Sequence, residues 1–273
     1  MRKSRSAGVF GVDKRLGELH NIQRLQVRPL WMNMLHPLGK LLVSVLFIVI
    51  TVSFPKYELV GLLVMGVYLI FGFVVGELSV VSGLYRMRLI LPLVAFVGIL
   101  NPFFDRTPGF LLFGFTVTGG VISMLTLMIK GIFAVLSAYI LIATTSVGDI
   151  CYALSTIRVP KLIVIVVLLI DRYFVVMAEE ADKITTAYAL RAPQERGIRY
   201  SAWGTLVGQW LLRSMDRAGA VYESMLLRGF TGDFNMEKRG LRAGDVLYPL
   251  VWGAAFILIR YTPAVRLLGE MFL

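Results

Sequence analysis

The sequence predicts an all-α, polytopic membrane protein with about five transmembrane helices and a cytoplasmic domain of long amphipathic helices. Three observations carry that prediction. The 273 residues are 57% hydrophobic with a mean hydropathy of +0.76, more apolar surface than a soluble domain of this size can hide. Apolar runs long enough, alone or with their flanks, to cross a bilayer recur along the chain. Between Ser146 and Arg242 the character changes, with 13 basic and 10 acidic residues over 97 positions and apolar residues still at helical spacing.

Residues 1–38 are polar and basic, too long and too charged for the n-region of a signal peptide, and read as a cytoplasmic or interfacial segment. Trp31 should sit at headgroup depth, with Lys40 snorkelling at the start of the first span. Residues 39–145 hold four spans. Leu41–Phe54 and Leu59–Val75 are separated only by PKYE, a tight hairpin turn. Leu89–Phe104 is interrupted by Pro92, a glycine-rich outer loop follows over Asn101–Gly120, and Val121–Thr145 is the longest apolar stretch. Lys130 lies in its middle, where a lysine costs about 2.5–3.5 kcal/mol if it faces lipid. It is therefore either a functional group facing water or, the favoured reading, a packing residue bound to a carbonyl or carboxylate of a neighbouring helix.

Residues 146–243 form the cytoplasmic region. A short helix over Gly148–Thr156 ends before Pro160, and Lys161–Arg191 can then run as one helix of about 45 Å. Its first part, LIVIVVLLI, is too short to span and should pack beneath the membrane bundle, whereas its second half is amphipathic. Tyr200–Arg228 is a second long amphipathic helix, with Trp203, Leu206, Val207, Trp210 and Leu211 on one face. Residues 244–273 contain the last span, Leu247–Tyr261, framed by Tyr248, Trp252 and Tyr261 as interface anchors. Five spans put the N-terminus inside and the C-terminus outside. The basic residues agree, with seven before Leu38, then Arg86 and Arg88, against Lys56 and Arg106 in the outer turns.

The two long helices each run out at an arginine beside a helix-stopping residue. Pro193 biases Ala192 away from the α region, and Gly229 suits the left-handed cap after Arg228. Each guanidinium can compensate its own helix dipole, but two such ends in one membrane chain read as a paired docking device.

Catalytic chemistry is hard to assemble from this sequence. The two histidines, His20 and His36, both precede the first apolar run, Cys151 is the single cysteine, and HExxH, P-loop and Rossmann fingerprints are all missing. No metal site is predicted. Asp171, Glu179, Glu180 and Asp182 read as a solvated helix face, with Glu179 and Lys183 as an i, i+4 pair. The excess of 28 Lys and Arg over 17 Asp and Glu reports cytoplasmic loops and anionic lipid rather than nucleic acid. Without a nucleotide-binding motif, ATP-driven transport would need a partner.

HPLGKLL before the first span, ATTSVGDICYAL, the run RVPKLIVIVVLLIDRYFVVMAEEADKITTAYALRAP, and VYESMLLRGFTGDF occur in an order that resembles the transmembrane coupling component of energy-coupling factor (ECF) transporters, most closely the CbiQ branch. The resemblance implies a non-catalytic subunit of an ABC-type importer in a prokaryotic cytoplasmic membrane. It implies two ABC ATPase subunits that bind ATP and Mg, a small membrane subunit that captures the substrate, and no cofactor on this chain. Cobalt or nickel is the favoured cargo of that branch, with a vitamin as the other class. Carried over, Arg191 with Ala192 and Arg228 with Gly229 would be the two ATPase-coupling sites. Pro193 stands where the family has glycine and Leu227 where it has alanine. A conventional ABC permease fits less well, because the position six beyond Glu180 is Thr186 rather than the glycine of an EAA-type loop. A membrane scaffold without a transport role remains the reading from another class.

Overall fold

The computed structural model describes residues 25–26, 28, 30–56, 58–87, 92, 94–99, 111–112, 115–116, 119–195, 197–232, 240 and 243–261. In chain order its helices are α1 (Trp31–Met34), α2 (Pro37–Ser53), α3 (Leu59–Val75), α4 (Val80–Met87), α5 (Gly119–Thr144), α6 (Val147–Thr156), α7 (Lys161–Arg191), α8 (Tyr200–Leu227) and α9 (Ala243–Tyr261). Residues 94–99 are also helical, and β1 (Leu111–Leu112) pairs antiparallel with β2 (Phe115–Thr116). That ladder falls inside the expected outer loop. Most of the predicted span Leu89–Phe104, and Asn101 with it, lies outside the described residues. The chain divides into two compact units, Leu25–Ser146 with Arg239–Leu273, and Met1–Arg24 with Val147–Lys238.

The first unit is built on apolar helices. α5, with 26 residues, and α9, with 19, are long and apolar enough to cross a membrane; α2 and α3 are apolar but have 17 residues each, the lower limit for a span. Prolines set their ends. Pro37 opens α2 at a position whose N–H would be unpaired anyway, and Phe54 is extended (φ −62°, ψ 142°) because Pro55 follows it. α2 packs on α5 and α9, and α3 on α5. Gly72 permits the last approach, since a Cβ there would lie 2.8 Å from Ile140 Cδ1.

Aromatic rings fill the centre. Tyr68 lies 4.7 Å from Phe47, 5.0 Å from Trp252 and 5.4 Å from Phe256, with the last two edge-on. This corrects the anchor reading of α9. Tyr248 is buried and Trp252 packs on Tyr68 and Phe71, because the α9 face that carries them meets α2 and α3; Tyr261 stays exposed.

Lysines join α2 and α5 reciprocally. Lys40, at the start of α2, is 2% exposed and donates from Nζ to the Thr144 carbonyl at 2.9 Å. It does not snorkel, because the last carbonyls of α5 offer it a partner. Lys130 of α5 in turn donates to the carbonyls of Val52, at 3.0 Å, and Phe54, at the end of α2. Arg260 reaches the same turn, donating to Ser53 O and pairing with Glu58, both at 3.3 Å.

Candidate functional site

The second unit holds α6, α7 and α8. Pro160 precedes the first residue of α7 and Pro193 follows its last by two, so the chain helicalises over all 31 residues between them. α6 packs on α7, with Cys151, Ala153 and Val164 buried. Burial, reinforced by the Asp171 charge, pushes the Cys151 thiol up. Much of the apolar start of α7 is exposed, including Leu162, Ile163, Val166 and Ile170.

α7 and α8 are tied by polar bonds around an apolar cleft. Trp210 Nε1 donates to the Met177 carbonyl at 3.1 Å, and Arg213 pairs with Glu180. The Arg213 guanidinium holds the Glu180 carboxyl below its ordinary range. Lys183 pairs with Glu180 at 3.5 Å, an i, i+3 contact, instead of with Glu179 as the spacing suggested. Glu180 faces α8, and its carboxylate takes Arg213 and Lys183 on different oxygens. Among the described residues no group of three His, Cys, Asp or Glu side chains is placed to hold a metal ion. The cleft, of about 880 Å³, is lined by Phe174, Met177, Trp203, Trp210, Val221 and Tyr222 among others, with Arg217 adding charge.

The arginine ends sit at the far limits of these helices. Arg191 is the last residue of α7 and is exposed; Ala192 leaves the helix with φ −123° and ψ 61°, its N–H still donating to Tyr188 O at 3.0 Å. The connector then folds back. Tyr188 Oη donates to Glu195 at 2.8 Å and accepts from the Arg199 N–H at 3.3 Å. Arg228 caps α8 and is exposed. Gly229 takes φ +78°, its N–H donates to Leu226 O at 2.9 Å, and Phe230 N–H donates to Met225 O at 3.0 Å, the two bonds of a Schellman end.

A feature not singled out from the sequence accompanies both ends. Leu190 and Leu227, each immediately before its arginine, are 78% and 89% exposed. An apolar side chain, a cation and a small residue are thus presented together twice. Counting exposed leucines in a sequence cannot find them, but the repeated Leu-Arg-small triplet at two helix ends could have. Lys130 belongs to the other unit.

Fold and site define an α-helical membrane protein with two long solvent-exposed helices. A family model described as CbiQ, cobalt transport protein, matches residues 30–239. The chain belongs to this family, and is a transport protein of the cobalt type. No curated protein matches it.

Proposed function

We infer that the chain is the transmembrane coupling subunit of an ABC-type importer of the ECF kind, with a transition metal ion, cobalt or nickel, as cargo. The observation that carries the reading is the pair of exposed Leu-Arg-small helix ends, Leu190–Ala192 and Leu227–Gly229. Arginines in this setting make bidentate, charge-assisted bonds to carboxylates, and a neighbouring leucine supplies the apolar contact that dries such a pair. Two ABC ATPase subunits holding ATP and Mg are the partners for the two ends. The exposed apolar cleft between α7 and α8 suits a hydrophobic partner, and the small capture subunit is the one this reading assigns to it. The cargo is recognised there. On this reading the chain is itself non-catalytic, crosses a prokaryotic cytoplasmic membrane about five times, and keeps α6 to α8 and its N-terminus inside with its C-terminus outside.

The test is charge reversal at both ends. Arg191→Glu with Arg228→Glu is expected to abolish co-purification of the ATPases in mild detergent while the chain still inserts in the membrane. Normal recovery of the ATPases by the double variant would sink the reading.

A further inference from the structure

The chain passes from the membrane-helix unit into the coupling-helix unit at Ser146–Val147 and returns near residues 238–239. Movement of α7 and α8 can reach the membrane helices through the chain itself at these crossings. A bare helix end would absorb it, because the last four carbonyls of a helix have no partner within the helix and fray readily.

Here both crossings are held on the membrane side by one short stretch of chain. At the outgoing crossing Lys40 Nζ donates to Thr144 O at 2.9 Å, and Gln26 Nε2 donates to Ile142 O at 2.8 Å and to Thr145 O at 3.2 Å. Three of the last carbonyls before the junction are therefore taken by side chains more than a hundred residues away in sequence. At the returning crossing the His36 N–H donates to Asp245 Oδ1 at 2.7 Å, in the first turn of α9. Gly39 sits against the same turn, where an added Cβ would lie 3.2 Å from Asp245 O. The stretch is itself braced, since Asn33 Nδ2 donates to the carbonyls of Leu25 at 2.9 Å, Gln26 at 3.2 Å and Arg28 at 2.9 Å. Met32 and Leu35 are buried beside it. Burying an ammonium costs several kcal/mol unless it is well bonded, so a 2%-exposed lysine aimed at a helix end makes that end stiff.

We propose that Gln26, His36 and Lys40 form a clamp that fixes the exit of α5 and the entry of α9, so that displacement of the coupling helices is delivered to the membrane helices and not lost to fraying. They are positioning residues, and the proposal rests on the coupling reading given above. Two measurements on the full-length chain separate the two ideas.

The first is hydrogen exchange on the chain alone in detergent. Lys40→Met keeps the volume and removes the donor, and exchange over residues 141–146 is expected to rise about ten-fold or more. Asp245→Ala is expected to do the same over residues 243–247. The second uses the reconstituted complex: Lys40→Met is expected to lower cobalt ion uptake about five-fold or more, with ATPase recovery and ATP hydrolysis unchanged. Should Lys40→Met fold poorly, Gln26→Leu, at a partly exposed position, serves for both measurements.

Unchanged exchange at 141–146 overturns the clamp. Uptake and hydrolysis falling together, or uptake unaffected, overturns its role in transmission. If the unmodified chain recovers no ATPase, the coupling reading fails, and exchange alone decides whether the clamp exists.

Discussion

At the end of α7 the helix is stopped from outside, by Pro193 and by a connector pinned to Tyr188, whereas at the end of α8 it is stopped from within, by Gly229 at φ +78° closing two backbone bonds. Both present the same chemistry, an exposed leucine followed by an exposed arginine. The difference teaches that the chemistry and its support are separable. One end depends on side-chain bonds that can be deleted singly; the other depends on a backbone conformation that only glycine takes at little cost.

The largest test of that comparison removes the arginines one at a time. Arg191→Ala and Arg228→Ala are each expected to weaken ATPase binding by about 2–5 kcal/mol, the range for truncating one partner of a buried charge pair. The loss should be greater at Arg228, whose closed end holds its side chain in a better-defined position before binding. Titration of purified ATPases against the detergent-solubilised chain measures both, and an arginine that tolerates the change cannot be a docking point. Next is Gly229→Ala. Nothing lies within 4 Å of the added Cβ, so the cost is backbone strain alone, about 1–2 kcal/mol. Faster hydrogen exchange over residues 225–230, with the α7 end unchanged, is the expected result. Equal disturbance of both ends would show that they are not independently built.

Much of this architecture is legible locally. The reading Leu59–Val75 matches α3 and Lys161–Arg191 matches α7, because proline or charge brackets each apolar or amphipathic run. Gly229 after Arg228 announces a left-handed cap for the same local reason. What escapes is everything that depends on a distant partner. Lys40 looks like an interfacial lysine until Thr144, 104 residues on, is placed beside it. Tyr248 and Trp252 look like interface anchors until the face of α9 that carries them is seen against α2 and α3. For Lys130 the favoured reading leaves a carbonyl and a carboxylate partner both open, and the choice of the Val52 and Phe54 carbonyls follows only from the antiparallel reach of α5 along α2. Exposure of Leu190 and Leu227 is likewise a property of where the helices end, since either residue elsewhere on its helix could have been core.

Two smaller effects probe what is private to one end and what both share. Tyr188→Phe deletes the hydroxyl that bonds Glu195 and the Arg199 N–H, a loss of about 1 kcal/mol expected to loosen the connector after Arg191 and leave the α8 end alone. Acid acts on the tie common to both helices. Arg213 lowers the Glu180 pKa in the folded chain, so the carboxylate stabilises the α7–α8 pair fully above its unfolded pKa of about 4.3. That contribution is lost as pH falls through the lower, folded value. Between neutrality and pH about 5 nothing should change; at lower pH Trp210, bonded to Met177 one turn from Glu180, should report loosening through its fluorescence. The pair is partly exposed, with 51% of the Arg213 side chain accessible, so the effect is small and shrinks as salt is raised. Glu180→Gln should remove the acid-dependent step while keeping a hydrogen-bond acceptor for Arg213. A step that persists in Glu180→Gln would assign it to another carboxylate, and the two arginine ends would then lack the shared electrostatic tie through Glu180 and Arg213.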